Sequence, residues 1–105
     1  MNSKQLNILL ADDDMDDCHF FKEALETLPQ TTHLTIVHDG DALMNHLSAN
    51  TERLPHVLFL DINMPRKNGF ECLSEIKSDD KLKDLPVIMF STSGAQDKIN
   101  VLFNT

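Results

Sequence analysis

The sequence predicts a doubly wound α/β fold, a parallel sheet with helices on both faces, in one domain spanning residues 1–105. Three observations carry that expectation. Four short apolar runs alternate with amphipathic stripes of helical spacing; the runs are apolar throughout, as strands covered on both faces are; and polar residues follow the runs directly.

The first run, 7–11 (NILLA), reads as a strand, and Phe20, Phe21, Ala24, Leu25 and Leu28 then recur at helical spacing until Pro29 stops the pattern. Residues 33–38 (HLTIVH) suit a second strand, Asp39-Gly40 is a turn signal, and Leu43, Met44 and Leu47 form the next stripe. A third pair follows. Residues 57–60 (VLFL) precede Asp61, a loop holds Pro65 and Gly69, and Phe70, Leu73 and Ile76 lie on one helical face. Residues 78–83 (SDDKLK) read as a polar connection. The last run, 87–90 (VIMF), is entered through Pro86, and Ile99, Leu102 and Phe103 are expected to open a fourth helix before Thr105 ends the sequence.

Composition narrows the function classes. A chain of 105 residues, 41% of them hydrophobic, hides only about two thirds of its unfolded surface, enough for one core and one site. No apolar run approaches the roughly 20 residues of a membrane span, and the opening MNSKQLN lacks the pattern of a signal peptide, so a cytoplasmic location with no membrane attachment is expected. The net charge of −8 argues against a nucleic-acid partner. Cys18 and Cys72 have no disulfide or metal-ligand spacing and read as buried or idle thiols. The five histidines show no HxH or HExxH pairing, which favours surface or core roles over metal ligation.

The acidity is local: Asp12, Asp13, Asp14, Asp16 and Asp17 crowd into six residues. Like charges this close either lie open to water and a helix dipole or hold a cation. The register of the fold favours a site. In such a sheet the C-terminal strand ends share one edge, so Asp12 and Asp13 after ILLA, Asp61 after VLFL and Ser91 after VIMF should converge on one crevice. Crowded carboxylates suit a hard cation, and Mg²⁺, which keeps several waters, is the expected ion. With the cluster neutralised, Asp61 is the candidate nucleophile toward a phosphoryl group and Ser91 a donor to the transferred oxygens.

Plainer roles compete for several of these residues. Asp14, Asp16 and Asp17 fit a helix N-cap and first turn. An EF-hand loop would put Asp12, Asp14, Asp16 and Glu23 at its ligand positions, but it needs glycine where Asp17 stands and a helix where a strand precedes it. Ser91 suits a helix cap as well as a site, Gly69 and Pro65 suit turns, and Arg66 and Lys67 read either as loop charges or as guides for a phosphodonor.

These residues resemble the receiver domain of two-component response regulators, over the whole chain. ILLADDD is similar to that family's first strand and acidic pair, FLDINMPRKNGFE to its phosphoacceptor strand and following loop, and LPVIMFSTS to its fourth strand ending in a hydroxyl residue. The resemblance implies a flavodoxin-like sheet with Asp61 as the phosphorylated aspartate and Asp12 and Asp13 around Mg²⁺. It also implies Asn63 as a ligand through its backbone carbonyl, Ser91 as the switch hydroxyl, a sensor histidine kinase as phosphodonor and an unidentified downstream protein as partner.

The resemblance has one gap. The family's fifth strand and helix, with a lysine that pairs with the phosphate and an aromatic switch residue, have no counterpart here, so the expected strand order is 2-1-3-4 with strand 5 absent. A fragment of a longer protein is the expected explanation, and a bare fourth-strand edge makes self-association there an expectation too. Two other functions stay in view. A phosphatase of the haloacid dehalogenase type also uses an aspartate after an apolar strand, but needs an acidic residue where Asn63 stands; a phosphorylation-independent interaction module would need no chemistry at all.

Overall fold

In the computed structural model, which describes residues 5–93 and 98–104 with side chains up to Ser91, the chain forms a five-stranded sheet flanked by three helices. The elements are β1 (Leu6–Ala11), α1 (Met15–Glu26), β2 (Thr32–Val37), α2 (Gly40–Ala49), β3 (Val57–Asp61), α3 (Gly69–Ser78), β4 (Val87–Ser93) and β5 (Lys98–Asn104). The strand order is β2-β1-β3-β4-β5, and the first four strands are mutually parallel, as the unbroken apolar runs require.

The two faces of the sheet are covered unequally. Under α2 and α3 lies a continuous core that includes Leu9, Leu43, Leu47, Leu58, Leu60 and Ile76, all 1% exposed or less. Under α1 the buried cluster is smaller, Leu10, Cys18 and Phe90, with Phe21, Leu34, Ile36 and Phe59 packed partly over it. Alternation along a strand divides neighbours between the two: Phe59 faces α1, and Leu60 faces α2 and α3.

Each helix begins on a side-chain cap. Asp14 accepts from the backbone N–H groups of Asp16 and Asp17 to start α1, and Asp39 accepts from Ala42 at 2.7 Å to start α2. Asn68 and Glu71 exchange side-chain bonds with each other's backbone N–H across the first turn of α3, a reciprocal capping box. The connection at 78–83 is less polar than its composition suggests. Its turn is closed by the Asp79 carbonyl, which accepts from Leu82 and Lys83, and it delivers Leu82 and then Leu85 into the larger core.

Two expectations need correction. Residues 98–104 do not begin a fourth helix; they form β5, antiparallel to β4, with Ser91 opposite Asn100 and an irregular register at Met89/Phe90. The sequence there carries both periods, Ile99-Leu102-Phe103 for a helix and Ile99-Val101-Phe103 for a strand. The unpaired N–H and C=O groups along β4 tip the balance toward the strand, because a strand supplies their hydrogen bonds and a helix does not. The fifth sheet position is therefore filled, and the bare β4 edge from which self-association was expected is covered by the chain itself. Residues 1–4, 94–97 and 105 lie outside the described residues.

Candidate functional site

Parallel pairing places the strand ends in register. Ala11 lies opposite Leu60 and Asp61 opposite Phe90, so Asp12, one residue past β1, comes level with Asp61 at the end of β3. Both carboxyls are buried, Asp12 at 1% and Asp61 at 3% exposure, and they are the buried polar or charged side chains of the described residues. Asp13 stays exposed at the rim, and one carboxylate oxygen from each of Asp12, Asp13 and Asp61 lies within 4.8 Å of the others.

The two buried carboxylates are anchored alike. Asp12 Oδ1 accepts from the Asp14 N–H at 2.9 Å, and Asp61 Oδ1 accepts from the Asn63 N–H at 3.2 Å, so each closes a turn two residues ahead in the chain. The Asp12 carbonyl is held in turn by the Cys18 thiol at 3.6 Å and by contact with His38 Nδ1 at 3.1 Å. Asp12 Oδ2 is buried and meets no hydrogen-bond donor among the described residues. A buried carboxylate oxygen without a donor is costly, and a proton or a cation relieves it.

The electrostatics agree. Burial pushes the Asp12 carboxyl up to about 8, against the pull of the Asp14 amide, and the charges of Asp61 and Asp17 add to the rise. Burial raises Asp61 as well, opposed by the Asn63 amide and by the neighbouring Asp12 carboxyl. Three converging carboxylates, two of them destabilised as anions and one with an orphaned oxygen, fit a divalent cation on donor chemistry alone.

The loop after β3 is held against two helix starts. A Cβ on Gly69 would stand 2.6 Å from the Asp61 carbonyl oxygen and 2.8 Å from Ile62 Cα, so only glycine lets α3 begin this close to the site. Gly40 plays the same part where α2 meets Lys67, with a Cβ there running into the Lys67 carbonyl oxygen. Arg66 adopts the left-handed region at φ 71°, and its Nε lies 3.9 Å from the Asp39 carboxylate that caps α2. Lys67 pairs with Glu75 on α3. Both basic residues therefore brace the loop, which favours the structural reading of them over the guiding one.

The structure brings Asp12, Asp13 and Asp61 together, sets Asn63 against Asp61 through its amide, and puts Ser91 inside β4 one residue beyond the partner of Asp61, in a strand where a helix cap was the alternative. Asp14, Asp16 and Asp17 serve as cap and first turn of α1. Cys18 and Cys72 are free and buried. Sequence reasoning missed the supporting groups: the close approach at Gly69, the hold of His38 and Cys18 on the Asp12 carbonyl, and the capping box. Only the capping box had a local signal, Asn68 followed three residues later by Glu71.

The family model for the response regulator receiver domain matches residues 8–104. The chain belongs to that family. Such domains are the phosphoryl-accepting modules of two-component signalling. The receiver is 36% identical over 96 residues to response regulator Rcp1 of Synechocystis, covering 88% of this chain and 65% of Rcp1. Among solved structures it is similar to the phosphorylated cyanobacterial phytochrome response regulator RcpA, with a TM-score of 0.79 and 37% identity over 86% of this chain and 67% of that one. It is also similar to the Mn²⁺-bound form of Rcp1, with a TM-score of 0.77 and 36% identity over 88% of this chain and 69% of that one. This receiver thus spans just under two thirds of the length of Rcp1. No helix among its described residues is long and apolar enough to cross a membrane.

Proposed function

We propose that this receiver accepts a phosphoryl group on Asp61 from a sensor histidine kinase, works in the cytoplasm, and passes the signal on by binding a downstream protein, turning over no metabolite. The observation that carries the reading is the position of Asp61: a buried carboxylate at a strand end, facing Asp12 and Asp13, with the uncapped Asp12 Oδ2 beside it. One Asp61 oxygen attacks phosphorus as the donor's nitrogen leaves, forming an acyl phosphate at the carboxyl group.

Asp12, Asp13 and Asp61, with the Asn63 backbone carbonyl, are the residues that would hold Mg²⁺. When bound, the ion offsets the clustered negative charge and the charge on the transferring oxygens. The chain's own groups do the positioning. The Asn63 amide fixes the rotation of the Asp61 carboxyl, so that one oxygen is held and the other is left to react. Gly69 keeps α3 against the Asp61 main chain. The Ser91 hydroxyl donates to a phosphoryl oxygen, and that new bond biases the β4 surface toward its partner-binding state.

Intact mass spectrometry after incubation with acetyl phosphate tests this. The expected result is one Mg²⁺-dependent phosphoryl adduct, lost in Asp61→Asn and in EDTA. An adduct that persists in Asp61→Asn overturns the assignment of Asp61, and the absence of any adduct favours an interaction module that works without phosphorylation. Steady release of phosphate from a phosphoester substrate would instead favour the phosphatase reading.

A further inference from the structure

At the opposite end of the sheet from the acidic site, a groove of about 270 Å³ lies between the last turn of α2 and the starts of β1 and β2. Its polar lining comes from Asn7, His33, Thr35, His46, Asn50 and Arg53. Periodicity explains why they meet. His33 and Thr35 are two apart on β2 and share a face, Asn7 is the register partner of His33, and His46 and Asn50 are four apart on α2. No carboxylate lines the groove, although the chain as a whole carries a net charge of −8. Arg53, His33 and His46 make no ion pair among the described residues, and Asn50 commits only one amide hydrogen, to the His46 carbonyl at 2.7 Å.

We propose that this groove is a binding site for a small phosphate-type oxyanion. The guanidinium of Arg53 supplies a permanent charge and a planar fork of donors suited to two oxygens of such an anion. The imidazole N–H groups of His33 and His46, the Thr35 hydroxyl and the amides of Asn7 and Asn50 supply the further donors that a tetrahedral oxyanion needs. The volume admits inorganic phosphate or a small phosphomonoester. A plainer role for His46 and Arg53, offsetting the negative end of the α2 dipole, requires neither the strand residues nor the absence of carboxylates.

The test is a titration of the metal-free full chain with inorganic phosphate, followed by amide chemical shifts, with sodium chloride at matched ionic strength as the reference. The expected result is saturable shifts at Asn7, His33, Thr35, His46, Asn50 and Arg53 that chloride does not produce. Affinity falls at least about fivefold in Arg53→Gln, an exposed substitution that leaves the core untouched, and is unchanged in Asp61→Asn. Shifts that fail to saturate, that chloride reproduces, or that saturate with unchanged affinity in Arg53→Gln overturn the proposal, as do shifts centred on Asp61. A second titration with a small phosphomonoester distinguishes the sources of the anion: tighter binding than phosphate indicates an organic ligand, and equal or weaker binding indicates the free ion.

Discussion

The two faces of the sheet are unequal partners in stability. The face under α2 and α3 is packed almost without exposure, whereas the face under α1 carries a buried cluster of just Leu10, Cys18 and Phe90 and leaves Phe20 55% and Met15 67% exposed on the covering helix. One face holds the fold, and the other is a thin cover. The difference teaches where the site draws its rigidity. The loop after Asp61 is clamped by Gly69, Gly40, Arg66 and Lys67 to α2 and α3, on the thick side, while Asp12 leads straight into α1, on the thin side. The Asp61 end of the pocket is braced, and the Asp12 end rests on the weaker layer.

The sharpest way to break this comparison uses adjacent residues that point to opposite faces. Leu60→Ala removes a side chain with no exposure and is expected to cost about 3–5 kcal/mol. Phe59→Ala removes a half-buried ring whose notable contact is with Phe21, at a centroid distance of 4.9 Å, and is expected to cost about 2 kcal/mol despite its larger volume. Urea denaturation of both variants checks the ranking, and a reversed order would mean that the α1 face is the stronger layer.

Next in size is Gly69→Ala. A methyl group 2.6 Å from the Asp61 carbonyl oxygen forces α3 away from the strand end, at an expected cost of about 2 kcal/mol. Phosphoryl labelling of Asp61 should fall at least about tenfold, because a displacement near 1 Å at a reacting group carries that kind of penalty. Normal labelling would show that the clamp is not needed.

The pocket itself makes stability depend on pH. A carboxyl raised by folding, as Asp12 is from 3.8 to about 8, holds its proton more tightly folded than unfolded. Its contribution is therefore complete in acid and is lost as pH climbs through that interval. In EDTA the thermal midpoint is expected to fall between about pH 5 and pH 8 by at least about 5 °C. Mg²⁺ should remove most of that fall, binding more tightly as the pH rises, and Asp12→Asn should flatten the profile. A metal-free protein whose midpoint is level across the range would contradict the raised carboxyls.

The smallest effects compare the caps. Asp14→Ala uncaps α1 and is expected to cost about 1 kcal/mol. Asp39→Ala uncaps α2 and also frees Arg66, so it should cost slightly more and reduce labelling of Asp61 as well. Equal costs and unchanged labelling would mean that the ion pair between Arg66 and Asp39 adds nothing to the loop.

Much of this molecule is legible in its sequence, because the physics involved is local. Four apolar runs, the alternation with helical stripes, and an aspartate or serine directly after a run are short-range patterns, and chain geometry alone sends their ends to one edge. Asp12, Asp13 and Asp61 could be named in that way, as could the capping role of Asp14. The orphaned Asp12 Oδ2, the clamp at Gly69 and the groove of His33, His46 and Arg53 had no such signal, since each depends on atoms brought together from distant segments.

Residues 98–104 mark the boundary. Their sequence carries a helical period and a strand period at once, so local preference leaves the outcome open, and the unpaired edge of β4 decides it. The sequence by itself determined the alternation of elements, the parallel sheet and the chemistry gathered at its edge, because those follow from residue type and spacing. Only the tertiary structure decided the last strand, the inequality of the two faces and the raised carboxyls, because edge pairing, coverage and desolvation are set by neighbours that are remote along the chain.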